Sequence, residues 1–312
     1  SGPPRAAEID VTEGTWLSID VSPDGQTLIF DLLGDLYLLD IAGGAARSLT
    51  SGLAWDIQPR FSPDGKQVVF ISDRAGGDNV WVMTLASGAL KQITKESFRL
   101  LNSPVWHPNG QFIAAKKHFT TSRSLGTGEI WLYDATLPAP SDGVELVARP
   151  NKNYQKELGE PAFSADGETL FYTQSATSGN TFIYHDDSHG GLFQIKQLDL
   201  KTGETDVVAG GYGGAVRPVP SPDGQHLAYV KRVRSESRLF VMDLDSQAER
   251  MLVDDLDPDM QETWGVYGLY PNMAWLPDSQ GLIYWAGGGF FKVDLATGEQ
   301  TAIAFRVQDQ RS

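Results

Sequence analysis

Ser22-Pro23-Asp24-Gly25-Gln26-Thr27-Leu28-Ile29-Phe30 is the stretch that decides the fold. Its first four residues recur unchanged at Ser62-Pro63-Asp64-Gly65 and Ser221-Pro222-Asp223-Gly224. Close variants stand at His107-Pro108-Asn109-Gly110 and Ser164-Ala165-Asp166-Gly167, and Pro277-Asp278-Ser279-Gln280-Gly281 reads as a stretched sixth copy. The second positions, 23, 63, 108, 165, 222 and 277, are spaced by 40, 45, 57, 57 and 55 residues. Proline presets φ at the first turn position, Asp tolerates the next, and Gly takes the left-handed one, so each copy is a hairpin turn.

The flanks of the turns agree with that reading. A short apolar run follows each, as in Val68-Val69-Phe70, Leu170-Phe171-Tyr172 and Leu282-Ile283-Tyr284. A third run then alternates aromatic and aliphatic residues and ends on Asp, as in Leu36-Tyr37-Leu38-Leu39-Asp40 and Ile130-Trp131-Leu132-Tyr133-Asp134. Gly-bearing turns such as Thr202-Gly203 lead to polar outer segments such as Lys91-Gln92-Ile93-Thr94. Runs this short, with period-two alternation and turn signals between them, are strands. Four strands per repeat at about 40–50 residues are the signature of a propeller blade. The expectation is one all-β domain over residues 1–312, a six-bladed β-propeller of four-stranded antiparallel blades. Its modules run over approximately 12–50, 51–94, 95–148, 149–208, 209–253 and 254–305. Ala7 to Val11 forms a strand ahead of the first module and Thr301 to Phe305 an outer strand of the last; either is placed to close the ring.

Composition narrows the function classes. Asp and Glu number 40 against 25 Lys and Arg, a net charge of −15, which opposes nucleic-acid or anionic-membrane binding. No apolar run approaches the roughly 20 residues of a membrane-spanning helix. Cysteine is absent, which excludes disulfides, thiolate metal sites and a thiol nucleophile.

The repeats resemble the TolB-like, or WD40-like, propeller repeat of exported bacterial proteins. Three longer stretches are more specific: Arg123-Ser124-Leu125-Gly126-Thr127-Gly128-Glu129-Ile130-Trp131, Gly214-Ala215-Val216-Arg217-Pro218, and Asp259-Met260-Gln261-Glu262-Thr263-Trp264 continuing to Trp275. Together they are similar to the N-terminal propeller of large bacterial amidohydrolases, in which such repeats precede a metal-dependent hydrolase barrel. That resemblance implies an exported, periplasmic setting and a divalent metal in a hydrolase domain outside this chain. The barrel's His-x-His signature is absent from these 312 residues. A Gly-x-Ser-x-Gly nucleophile elbow is absent too, so this chain alone is expected to be non-catalytic and to hold no cofactor.

The loops opposite the Pro-Asp-Gly turns are long and irregular, the usual place for binding on a rigid scaffold. On or near them Arg60, His118, Arg123, Arg217, Glu262, Trp264 and Tyr267 are the candidate binding residues. The arginines suit carboxylate or phosphate groups, and the aromatic rings suit stacking or anchoring a partner. Arg60, just ahead of its turn on an innermost strand, is placed to face the central channel. For Arg123, bracing its own loop through Glu129 competes with a binding role. His185, Asp187 and His189 have metal-like composition but no firm metal-binding spacing, and a solvated loop is the stronger reading. His107 and His226 read as structural, and the Asp ending each third strand reads as a turn acceptor. The expected partner is the protein's own C-terminal hydrolase domain. The alternatives are a periplasmic protein bound by a stand-alone module, and a propeller enzyme with its site in the channel.

Overall fold

The computed structural model describes residues 7–14, 16–122, 125–183, 191–260 and 268–311, and none of these is helical. Six four-stranded antiparallel sheets form the blades. The first contains β2 (Ile19–Val21), β3 (Thr27–Leu32), β4 (Asp35–Asp40) and β6 (Arg47–Ser48), and the second β7 (Asp56–Phe61), β8 (Gln67–Ser72), β9 (Asn79–Thr84) and β10 (Leu90–Gln92). The third runs β11 (Leu101–Trp106), β12 (Phe112–Thr120), β13 (Gly126–Asp134) and β14 (Val144–Val147). The fourth is β15 (Leu158–Phe163), β16 (Thr169–Ser175), β17 (Phe193–Asp199) and β18 (Thr205–Ala209). The fifth is β19 (Val216–Pro220), β20 (His226–Val233), β21 (Glu236–Asp243) and β22 (Glu249–Val253). The sixth is β23 (Ala274–Trp275), β24 (Gly281–Ala286), β25 (Gly289–Asp294) and β26 (Gln300–Ile303). The core lies in the seams where neighbouring sheets stack. Val69, Ile71 and Val80 of the second blade meet Leu101, Ile113 and Tyr133 of the third, and Leu170 and Tyr172 of the fourth meet Val105 and Ile130 of the third.

Both chain ends close the ring together, and neither lends a strand to a blade. β1 (Ala7–Val11) pairs antiparallel with β27 (Phe305–Arg311), which lies parallel to β5 (Gly44–Ala45) beside the first blade. The sixth blade's outer strand ends at Ile303, so Phe305, read from sequence as part of it, belongs to the closing strand. There its ring sits 5.3 Å from Phe30 of the first blade and 5.0 Å from Phe290 of the sixth, an aromatic latch across the last seam.

The repeated tetrapeptide earns its composition at the turn. Ser22, Ser62, Ser164 and Ser221 each donate Oγ–H to the Asp two residues on, at 2.5–2.6 Å. Each Oγ also accepts the backbone N–H five residues on, at 2.9–3.0 Å. The Asp accepts the N–H that follows Gly as well, so one hydroxyl and one carboxylate tie off the hairpin. Those bonds, the serine hydroxyl first, hold the Asp24, Asp64 and Asp166 carboxyls below their usual range. The sixth copy is not stretched. Ser279 takes the left-handed place of Gly at φ 59°, Leu276 stands where Ser would, and Gly281 already begins β24. The Asp residues ending third strands are turn acceptors: Asp134, Asp199, Asp243 and Asp294 each take the N–H two residues on.

Ser62 is 3% exposed, so its hydroxyl cannot be replaced by water. Ser62→Ala should lower unfolding free energy by about 1–2 kcal/mol, because the Gln67 N–H and the Asp64 carboxylate each lose a partner. Urea denaturation measures it; an unchanged midpoint would show that the turn does not depend on this hydroxyl.

Candidate functional site

The site is shaped by a device repeated on the innermost strands. In β7, β11, β15 and β19 the ladder to the second strand shifts register, between Ile57 and Arg60, Asn102 and Val105, Gly159 and Ala162, and Val216 and Val219. Each bulge holds an Xaa-Pro pair: Gln58-Pro59, Ser103-Pro104, Glu160-Pro161 and Arg217-Pro218. Proline has no N–H to offer the ladder, so a bulge is where a strand tolerates it. Its ring also bars the preceding residue from the right-handed helical region. The bulge nonetheless places Gln58, Ser103, Glu160 and Arg217 not in extended backbone but at φ 56°, 53°, 49° and 55°, a conformation costing a non-glycine residue roughly 1–3 kcal/mol.

Hydrogen bonds between blades hold these strained residues. Asp31 of the first blade accepts the Gln58 N–H at 2.7 Å and the Ser18 N–H at 3.1 Å. The Gln58 side chain in turn accepts the Ser103 N–H at 2.7 Å. Glu160 accepts the Arg217 N–H at 3.1 Å, and its other oxygen takes the N–H groups of Leu269 and Tyr270 at 3.1 and 3.3 Å. The Arg217 side chain donates to the Tyr270 carbonyl at 2.7 Å and lies 3.1 Å from Glu160. Asn272 donates to the Ile19 carbonyl at 2.9 Å, returning to the first blade. This polar belt draws the strands together: the channel space it borders, beside Ser18, Gln58, Ser103, Arg217 and Asn272, is about 10 Å³, barely a water molecule.

Above the belt, toward the Pro-Asp-Gly turns, the channel widens into a recess of about 400 Å³. Phe61, Trp106, Phe163 and Trp275 wall it, and Pro23, Pro63, Pro108, Pro222 and Pro277 form its rim. The Trp106 indole donates to the Arg60 carbonyl at 3.2 Å and the Trp275 indole to the Val219 carbonyl at 2.8 Å, which fixes both rings. Asp20 and Arg60 are the ionisable residues among the described lining, 3.8 Å apart, and Arg60 keeps about a quarter of its side chain exposed. Burial pushes the Asp20 carboxyl up, opposed by the Arg60 charge and the Phe61 N–H. The serines at the rim are spent on their turns. The recess is thus apolar and aromatic-walled, with one ion pair among its described lining.

Arg60 faces the channel as its place before the turn suggests. Arg217 sits at the constriction and points into the frame: it is 4% exposed and paired with a Glu160 carboxylate that is fully enclosed. His118, on β12, lines neither the recess nor the constriction. Burial first, then the charges of Lys116 and Arg99, push its imidazole down to about 4. Arg123, Glu262, Trp264, Tyr267, His185, Asp187 and His189 lie outside the described residues. Among the described residues the long-loop side is braced by buried ion pairs: Lys116 with Glu157 at 2.8 Å, and Arg232 with Asp259 at 2.8 Å, the latter also bound by the Ser237 hydroxyl. Sequence reasoning missed Asp20, Asp31 and Glu160. For Glu160 a signal was there, since all four bulge prolines stand four residues before the second position of a turn.

Residues 6–131 match the family model described as TolB beta propeller domain. Over that stretch, about two fifths of the chain, it is similar to TolB propellers. Among its relatives, the Tol-Pal system protein TolB of Helicobacter hepaticus is 29% identical over 52% of this chain and 37% of its own length. The TolB of Francisella tularensis subsp. holarctica is 28% identical over 72% of this chain and 47% of its own. The chain thus spans less than half the length of those relatives. The crystal structure of TolB from Acinetobacter baumannii superposes with a TM-score of 0.66 at 16% identity, over 95% of this chain and 64% of that one. An oligogalacturonate lyase in complex with manganese shares the fold at a TM-score of 0.58 and 13% identity, over 93% of this chain and 76% of its own.

Two outcomes follow from the buried charges. Arg217→Met leaves Glu160 enclosed without its cation and should cost about 3–5 kcal/mol in urea denaturation, part of it recovered when Glu160→Gln is added. A loss no larger in the single than in the double variant would deny the coupling. For His118, the unfolded imidazole takes up its proton near pH 6.5 and the folded one only near 4. Protons therefore favour the unfolded chain across that window, and stability falls by roughly 3 kcal/mol as pH drops from about 6.5 to about 4. His118→Gln should flatten the slope of stability against pH there; an equal slope would refute the buried neutral imidazole.

Proposed function

We propose that this TolB-like propeller is a non-catalytic docking module of an exported, periplasmic bacterial protein, and that it takes a segment of a protein partner in the recess on its Pro-Asp-Gly face. The recess carries the reading: aromatic and proline walls offer contact area at little entropic cost, and the Arg60–Asp20 pair offers one polar anchor. Arg60 is exposed enough to exchange its long contact with Asp20 for a partner's carboxylate. The relatives named as Tol-Pal system proteins support a partner that is itself a protein.

A second reading rests on the stretches at 123–131, 214–218 and 259–275. On it the propeller is the scaffold of an amidohydrolase-type enzyme whose barrel, with its divalent metal, docks on the opposite, long-loop face. Arg123, Glu262, Trp264 and Tyr267 are then the contact residues.

The two readings separate by face. Immobilised propeller is offered a periplasmic extract and, separately, the hydrolase barrel in trans, and bound polypeptides are identified by mass spectrometry. Ala165→Trp, at the exposed rim of the recess, and Arg60→Gln should each abolish capture of a specific partner while leaving thermal melts unchanged. Capture that survives both substitutions sinks the recess reading. Loss on Trp264→Ala instead, with the barrel as ligand, transfers the function to the long-loop face.

A further inference from the structure

A second cavity lies on the long-loop side, between the first and second blades, and shares Ser18 and Gln58 with the lining of the constriction. Its volume is about 290 Å³, the size of a small organic ligand. Trp16, Trp55, Leu33 and Ile57 wall it, and Asp31 lies at its base. Its placement follows from the local chain. Leu33 and Gly34 form a tight hairpin turn between β3 and β4 with φ 51° and 79°. The Trp55 ring lies flat on Gly34, so closely that a Cβ there would come within 2.4 Å of it. Trp55 and Leu33 are nonetheless 50% and 52% exposed. Trp16 is held from behind by the rings of Tyr270 and Trp285 at 5.8 and 6.4 Å.

The carboxylate below these rings is 8% exposed, and no Lys, Arg or His is among the described residues that line the cavity. Each oxygen accepts one backbone N–H, from Ser18 and Gln58, which fixes the group and leaves each oxygen able to accept another donor. Burial raises its pKa to about 6, opposed by those two N–H groups and by no cation. A carboxylate buried without a positive partner is costly to keep ionised, and a cation delivered by a ligand relieves that cost. Indole faces are the best aromatic surface for a cation, and most of all for an alkylated ammonium that sheds its water easily.

We propose that this cavity binds an organic ammonium group: the cationic head pairs with Asp31 against the indoles of Trp16 and Trp55, and its alkyl groups lie against Leu33 and Ile57. The head is carried either by a small amine or by a lysine side chain, and the experiment separates these sources. The full chain, with 15N-labelled tryptophan, is titrated with n-butylammonium, tetramethylammonium, Nα-acetyl-lysine amide and, as the uncharged control, n-butanol. The Trp16 and Trp55 indole signals should shift saturably with the ammonium ions and stay in place with butanol. Saturation by the lysine amide and not by the free ions assigns a protein side chain as the natural occupant; the reverse assigns a small amine. Trp55→Ala should weaken binding about tenfold or more, as expected for loss of a desolvated cation–π contact. Asp31→Asn should abolish it, and because that change also disturbs the belt, the Trp55 variant decides the matter if Asp31→Asn does not fold. The proposal falls if no probe gives a saturable shift, if butanol matches the ammonium ions, or if Trp55→Ala binds as the parent does.

Discussion

At each of four innermost-strand bulges the residue before a proline stands in the left-handed region, and the N–H groups there need acceptors. The propeller meets that need across blades. Asp31 serves Gln58, Gln58 serves Ser103, and Glu160 serves Arg217 and the chain leading into the sixth blade. Blades that also meet through apolar seams thus acquire directional joints at a fixed height in the ring. Apolar stacking tolerates sliding, whereas a bond of 2.7 Å from a strained backbone position does not. Gly268 shows how tight the fit is: at φ 108°, a Cβ on it would stand 2.8 Å from the Arg217 guanidinium.

The same belt divides the channel unequally. Beside Arg217, Asn272 and Gln58 the described residues leave little space, whereas the turn side is wide. The long-loop side is given over to buried ion pairs, each expensive to dehydrate and held only by good geometry and added hydrogen bonds. Arg232 meets Asp259 through two guanidinium nitrogens, while the Ser237 hydroxyl donates to the carboxylate and accepts the Asp259 N–H. In a chain of net charge −15, cations are scarce, and several of the buried ones are consumed as struts.

The ring itself was legible because hairpin turns are local chemistry. Ser22-Pro23-Asp24-Gly25 states its own hydrogen bonds, and the six-fold spacing follows from counting. The sixth turn was misjudged by its glycine: Gly281 looked like the turn residue, whereas Ser279 takes that conformation. Arg60 was legible because it immediately precedes a turn on a strand that must line the channel. What sequence could not supply was pairing between distant segments. Arg217 looked like a free, functional cation because Glu160, 57 residues away, is brought to it only by ring closure. Asp31 sits in mid-strand among apolar neighbours, and nothing local says that two backbone amides from different blades converge on it.

If the recess takes a segment of chain, as proposed, its narrow floor gives that entry an order. Water displaced by an arriving segment then leaves mainly past the segment itself, so the aromatic walls dry from the floor outward. The residue that reaches the belt first is the last to depart, which favours a free end or a tight bend over a continuous strand. Selectivity on that reading rests on the shape of a chain terminus or loop tip, read at depth, more than on the area covered at the rim.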